Sequence, residues 1–246
     1  MKKLNHDVLS RSGKEALQKA RQKVIEQRDE LIGKLDALRF DPHWYRRVVH
    51  TAAASLLLYY VLPAYEWVNN GKVYLVLGLL ILGGIIEVLR IKGILHSKNF
   101  FGLRQYERER AGSYLYFSVA AVLLLVVFPQ AIAIPCLLCA CLTDPIMGEI
   151  RYRFGKTAGI IAGFFVSFIL FVITWYSAGF TIMMIVSVVG ACGAVIGETV
   201  KYKWIDDDFL IQMVPALVIV ILMLGLIYLG VNVSLPVVLY PFGGTI

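Results

Sequence analysis

Seven stretches of this chain carry almost no charge, and the charged residues gather between them: 48–65, 73–89, 113–128, 130–150, 157–177, 179–200 and 209–231. A helix rises about 1.5 Å per residue, so about 20 apolar residues cross the hydrocarbon core of a bilayer. The pattern predicts an all-α protein, a polytopic membrane bundle of about seven transmembrane helices. The third stretch, at 16 residues, is the shortest of them. Composition agrees: 59% of residues are apolar, 17% are charged, and mean hydropathy is +0.72. The first 47 residues are charged and lack the apolar core of a cleavable signal peptide.

Lysine and arginine set the expected orientation. Of the 24, all except Lys72 fall on one side of a seven-span arrangement, in residues 1–47, 90–110, 151–156 and 201–203. The positive-inside rule then puts the N-terminus in the cytoplasm and the C-terminus outside. The net charge of +7 follows from this bias and attracts anionic lipid headgroups; it implies no nucleic-acid partner.

Residues 7–40 read as one amphipathic helix, with Leu17, Val24, Leu31 and Leu38 every seventh position and Pro42 ending it. The stripe suits the membrane interface, with pairing to a second copy, a homodimer, as the alternative. The chain therefore divides into a cytoplasmic helix, 1–42, and a transmembrane domain, 43–246.

Cys136, Cys139, Cys141 and Cys192 all lie inside expected spans. Cys136-x-x-Cys139 has no second pair or nearby histidine to complete a metal site, so these thiols are expected to pack between helices. Gly155, Gly159 and Gly163 recur every fourth residue, as do Gly193 and Gly197, a spacing that lets helix backbones approach closely in lipid.

Asp144 is the residue that composition explains least. It follows an uncharged run from Ala131 to Leu142 and precedes Pro145, so it lies roughly 20 Å into a helix starting near Gln130. A carboxylate at that depth costs at least ~2.5 kcal/mol on insertion scales unless water or a cation meets it. Proline disfavours helical backbone in the residue before it, which predicts a broken helix with Asp144 capping its second half. Glu198 is likewise inside an apolar stretch.

Other acids collect at the same membrane face: Glu87, Glu107, Glu109, Glu149, Asp206, Asp207 and Asp208. Beside them stand Arg47, His50, Arg90, Arg104, Arg108, Arg151, Arg153, Lys156 and Lys201. Carboxylates with cations at one face suit a magnesium-bound polyphosphate, the acids holding metal and the bases neutralising phosphate. Solvated loop charge accounts for the run between positions 90 and 110, and does not account for Asp144 or Glu198.

Several of these segments resemble the polyprenol kinases: CTP-dependent dolichol kinases, phytol kinases and the related CTP-dependent diacylglycerol kinases. They are Arg46-Arg47-Val48-Val49-His50, Glu87-Val88-Leu89-Arg90, Glu107-Arg108-Glu109-Arg110-Ala111-Gly112-Ser113-Tyr114, and Thr143-Asp144-Pro145-Ile146-Met147-Gly148-Glu149 with Arg153-Phe154-Gly155-Lys156. Phe128-Pro129-Gln130-Ala131-Ile132-Ala133 belongs with them, and Glu198 with Asp206-Asp207-Asp208-Phe209-Leu210 and Pro215 completes the set. The chain departs from the family pattern at Thr143, where the family has glycine, and at Asp208, where it has asparagine. It also lacks the family's Lys-Ser-x-Glu-Gly stretch after Lys156.

The resemblance implies an integral-membrane lipid kinase that transfers a phosphoryl group from CTP to the hydroxyl of a dolichol-like isoprenoid alcohol or related lipid. It would work with Mg2+ or a similar divalent cation, in the endoplasmic reticulum of a eukaryote or the cell membrane of a prokaryote. Asp144, Glu198 and Asp207 are the expected metal or catalytic carboxylates. Arg151, Arg153 and Lys156 are the expected phosphate contacts, with Glu149 and Asp208 behind them, and Arg47 and His50 meet the lipid headgroup. The alternatives are another nucleotide-using lipid enzyme of the cytidylyltransferase kind, an ion-coupled transporter built on Asp144, or a non-catalytic membrane scaffold. Cysteines introduced at Lys3 and Thr245 are expected to label from opposite sides of the membrane; labelling from one side overturns the seven-span arrangement.

Overall fold

The computed structural model describes Gln22, residues 42–95, Leu103, Glu107, residues 110–202 and residues 204–243. The expected helix over 7–40 and Arg104, Arg108 and Glu109 lie outside the described residues. The chain divides into two compact units, Met1–Trp44 and Tyr45–Ile246, and the second holds the bundle.

Every regular element among the described residues is helical. Helix α1, Pro42–Ala52, continues through a 3-10 turn, Ala53–Leu57, into the short α2, Leu58–Val61. Then follow α3 (Glu66–Ile91), α4 (Ser113–Val127), α5 (Gln130–Leu138), a π-helical turn (Cys139–Thr143), α6 (Asp144–Phe154), α7 (Lys156–Trp175), α8 (Phe180–Thr199) and α9 (Asp207–Tyr228). By length and composition, five helical runs can cross a membrane: Glu66–Ile91, Gln130–Phe154, Lys156–Ala178, Phe180–Thr199 and Asp207–Tyr228. Ser113–Val127 is apolar but shorter. The first expected span, 48–65, is a segmented helix that stops before Pro63, where the fixed proline ring pushes Leu62 into extended backbone.

Burial ranks these helices. The run Gln130–Phe154 is central, with 67% of its apolar window buried, whereas only 6% of the α3 window is buried. Around the central run the core includes Leu124, Leu137, Phe171, Trp175, Ile211 and Ile219. Trp175 donates its indole N–H to the Ala131 carbonyl at 2.8 Å, so its polar edge is satisfied inside the core. Cys136, Cys139 and Cys141 are buried here as expected, but Cys192 is exposed on the outer face of α8. The described residues after α9, up to Gly243, form no helix and return across one end of the bundle. There Leu239 donates to Gln130 and Phe242 to the Val61 carbonyl, at 3.0 and 2.9 Å.

Asp144 does not cap a broken helix. Its backbone is helical, at φ −58° and ψ −54°, and the run passes through it. Proline has no N–H and its ring crowds the carbonyl four residues back. The wider π-helical turn at Cys139–Thr143 absorbs that mismatch just before Pro145, so the helix bulges where a break was expected. Inside the turn, Thr143 and Ser167 share a hydrogen bond of 3.1 Å, which ties α7 to the bulge.

The four-residue glycine spacings mark close approaches. A Cβ on Gly163 would meet Met147 Sδ at 2.6 Å, and one on Gly197 would run into the Leu210 carbonyl oxygen. Gly155 plays a different part, since at φ +90° it alone joins α6 to α7. The Gly197→Ala change is expected to lower unfolding stability in detergent by ~1–3 kcal/mol, because backbone must move. Gly225→Ala, where nothing lies within 4 Å, should cost nothing measurable by the same assay.

Candidate functional site

Three separate elements bring Asp144, Asp208 and His50 together: α6 at the bulge, the first turn of α9, and the last turn of α1. One ligand atom from each lies within 4.8 Å of the others. Asp208 faces Arg46 at 3.7 Å and His50 Nε2 at 3.8 Å. Arg46 also donates to Ser113 Oγ at 3.1 Å, and the His50 ring stands edge-on to Phe117 at 5.4 Å. Asp206 caps α9, its carboxylate accepting the Asp208 N–H at 3.2 Å, so three successive acids sit at the partial positive charge of a helix N-terminus.

Glu198, 3% exposed at the end of α8, extends this cluster. Its Oε1 accepts from Arg151 at 3.0 Å and faces Lys201 at 3.7 Å. Lys201 in turn pairs with Asp207. Burial pulls the Lys201 ammonium down, but Glu198 and Asp207 outweigh it and hold the group above the ordinary lysine range. Asp144 lies within electrostatic reach of Asp207, Asp208, Arg46 and Lys201, and Glu198 within reach of Asp144, so these groups form one polar cluster, called the polar pocket below. Tyr116 donates to the Trp204 carbonyl at 3.0 Å and so pins the loop between α8 and α9 beside it.

The expected residues separate into two sets. Asp144, Glu198, Asp207, Asp208, Arg151 and His50 share the pocket. Arg47, Glu149 and Arg153 form a rim on its exposed side, with Arg47 and Glu149 paired at 2.6 Å and Glu149 also held by Arg153. Lys156 is exposed at the start of α7 and makes no ion pair among the described residues. The atoms at ligating distance come from His50, Asp144 and Asp208, where the sequence grouped Asp144, Glu198 and Asp207. Arg46 was legible only as part of the basic opening of α1; its reach to Asp208 needs the fold.

Loop charge does not describe Glu87 and Arg90, which are 1% and 2% exposed. Arg90 donates through two nitrogens to both oxygens of Glu87, each at 2.7 Å, and to the Arg110 carbonyl at 2.7 Å. Glu87 further accepts from the Gly112 N–H at 2.5 Å and from Tyr114. This buried pair fastens the entry of α4 to the end of α3, so it serves the fold.

Comparison with family models, with curated proteins and with solved structures returns no match to this chain.

An Arg90→Leu change is expected to cost ~3–5 kcal/mol of stability, because it leaves Glu87 buried without its counter-charge. Arg153→Ala, on the exposed rim, should cost no more than ~1 kcal/mol in the same denaturation assay.

Proposed function

We propose that the protein is an integral-membrane lipid kinase that transfers a phosphoryl group from CTP to the hydroxyl of a long isoprenoid alcohol or a related lipid. The observation that carries this reading is the pocket itself: Asp144, Asp208 and His50 within 4.8 Å, flanked by Arg46, Lys201 and the Arg151–Glu198 pair. Phosphoryl transfer asks a protein mainly for positioning and charge neutralisation, and these residue types supply both. The resemblance of the surrounding segments to polyprenol kinases supports CTP as donor and a lipid alcohol as acceptor.

Two carboxylates and one imidazole from three helices fit a divalent cation; the oxygens suit Mg2+ and the imidazole extends the set to Mn2+. Such an ion, when bound, draws negative charge from phosphate oxygens. Arg46 and Lys201 would neutralise the remaining phosphate charge. In this reading Glu198 takes the proton of the acceptor hydroxyl as the hydroxyl oxygen bonds to phosphorus, the bond to the nucleoside diphosphate breaking in step. The succession of apolar helices among the described residues, with the basic residues on one side of the expected seven-span arrangement, supports a cytoplasmic N-terminus and a site reached by cytoplasmic nucleotide.

Purified protein in lipid vesicles, given labelled CTP or ATP, Mg2+ and a polyprenol, is expected to yield phosphorylated lipid, with chelation stopping turnover and added Mg2+ restoring it. Asp144→Asn keeps volume and hydrogen bonding while deleting charge, and is expected to lower turnover at least roughly a hundredfold. Near-normal turnover in that variant overturns the catalytic assignment of Asp144. Absence of labelled lipid with either nucleotide overturns the kinase reading.

A further inference from the structure

Exposed side chains divide this bundle into bands. Along α7 the exposed positions after Thr157 are Ile161, Phe165, Ile169 and Ile173, every fourth residue, and none of these side chains has a polar atom. At the far end of the bundle stand Trp67 near the start of α3, Tyr176 just past α7 and Tyr228 closing α9. At the end that holds the polar pocket, Tyr152 and Phe154 close α6, and Tyr202 and Trp204 stand in the loop between α8 and α9. All seven of these rings are more than half exposed. An apolar band between two aromatic belts is the pattern of a chain crossing a bilayer, because a ring with a polar tip is at home where headgroups meet hydrocarbon.

The α8–α9 loop belongs to its belt by position as well as by residue type. Tyr116, the fourth residue of the apolar α4, donates its hydroxyl to the Trp204 carbonyl at 3.0 Å at the surface of the bundle. That bond holds the loop backbone level with the first turn of an apolar helix instead of out in water. From there Trp204 is 80% exposed, and Ile205 is exposed beside it. Both ends of the loop enter the polar pocket. Lys201 faces Glu198 at 3.7 Å and pairs with Asp207, while Asp206 caps α9. Whatever fixes the middle of the loop therefore fixes the cation and the acids at its ends.

We infer that the loop between α8 and α9 is a bilayer anchor: Trp204 and Tyr202 sit in the phospholipid headgroup layer, and that seat positions Lys201 against Glu198 and Asp207. The partner is the layer as a whole. The indole N–H and the phenol O–H meet phosphate and ester oxygens, while the ring bodies meet the upper acyl chains. Trp204 is here a positioning residue, and the anchor depends on no step of the proposed reaction.

Full-length protein labelled with 5-fluorotryptophan and held in bilayer discs tests the anchor. The chain has four tryptophans, and the Trp204 fluorine resonance is assigned by its loss in Trp204→Phe, or in Trp204→Tyr where the first variant folds poorly. Phospholipid with a nitroxide on its headgroup is expected to relax this resonance at least about threefold faster than lipid with a nitroxide at the chain end, or than an aqueous gadolinium chelate. Trp175, wholly buried in the core, is the internal reference and should respond less than Trp204 to the headgroup nitroxide. Strongest relaxation by the aqueous chelate puts the loop in water, and strongest relaxation by the chain-end nitroxide puts it in hydrocarbon; either result overturns the anchor.

Lys201 gives a second readout, mapped by mass spectrometry after brief acylation with a water-soluble amine reagent. Trp204→Glu sets a charge where a headgroup-seated ring belongs, and is expected to raise Lys201 acylation at least about fivefold, with Trp204→Phe at the wild-type rate. Equal acylation in wild type and Trp204→Glu, both folded by circular dichroism, overturns the positioning role. Neither measurement uses nucleotide, so loss of the anchor leaves the lipid-kinase reading standing, and loss of that reading leaves the anchor.

Discussion

A carboxylate on the central helix of an apolar bundle is tolerable only where cations and other polar groups reach it, and the polar end of this protein is arranged around that demand. The run Gln130–Phe154 is the most buried of the long helices, yet it carries Asp144 ten residues from its end. The chain meets the cost with sequence-distant elements: the α1 turn with Arg46 and His50, the α9 N-terminus, and the α8 end with Glu198 and Lys201. Helix α9 begins near Asp144, with Asp206 and Asp208 buried, while the preceding residues Tyr202, Trp204 and Ile205 stand exposed. The π-helical turn belongs to the same arrangement, because it accommodates Pro145 while keeping Asp144 in line with the helix.

Among the described residues, the carboxylates of Asp144, Glu198, Asp207 and Asp208 gather with Arg46, Arg151, Lys201 and the imidazole of His50. A divalent cation held by His50, Asp144 and Asp208 would add two positive charges to this cluster. An anionic nucleotide is repelled by the carboxylates alone and drawn to the same carboxylates once they hold a metal. In the proposed reaction, metal and nucleotide therefore depend on each other for binding, and the acids are the reason.

Much of the helical layout was legible in the sequence, because hydropathy acts over the length of a helix. The stretches 179–200 and 209–231 correspond to Phe180–Thr199 and Asp207–Tyr228, and the glycine spacings mark contacts with Met147 and Leu210. Hidden features depend on registers and distances that one-dimensional pattern does not carry. A π-helical turn is one shifted hydrogen-bond register, and Pro145 signals equally a break or a bulge. His50 and Asp208 are separated by 158 positions, so no spacing rule could pair them. Arg90 reads as loop charge because the positive-inside bias is strong in its neighbourhood; only the fold turns it inward onto Glu87. The site residues Asp144 and Glu198 stood out for the opposite reason, as charges where the apolar pattern leaves no place for them.

The two buried acid–base clusters differ in how fully each is satisfied. Glu87 accepts from two Arg90 nitrogens, the Gly112 N–H and the Tyr114 hydroxyl, which uses both of its oxygens. Nothing remains for a ligand, and such a network rigidifies the fold around it. Glu198 receives Arg151 and Lys201 on the same oxygen, Oε1, and leaves Oε2 buried without a donor. Leaving a charged acceptor unfilled costs stability that a closed network would have recovered. Both clusters are anionic acids paired with arginine in the same bundle, so residue type does not explain the difference. The difference lies in geometry: the Glu198 network is left open on Oε2 at a cost that the closed Glu87 network does not carry.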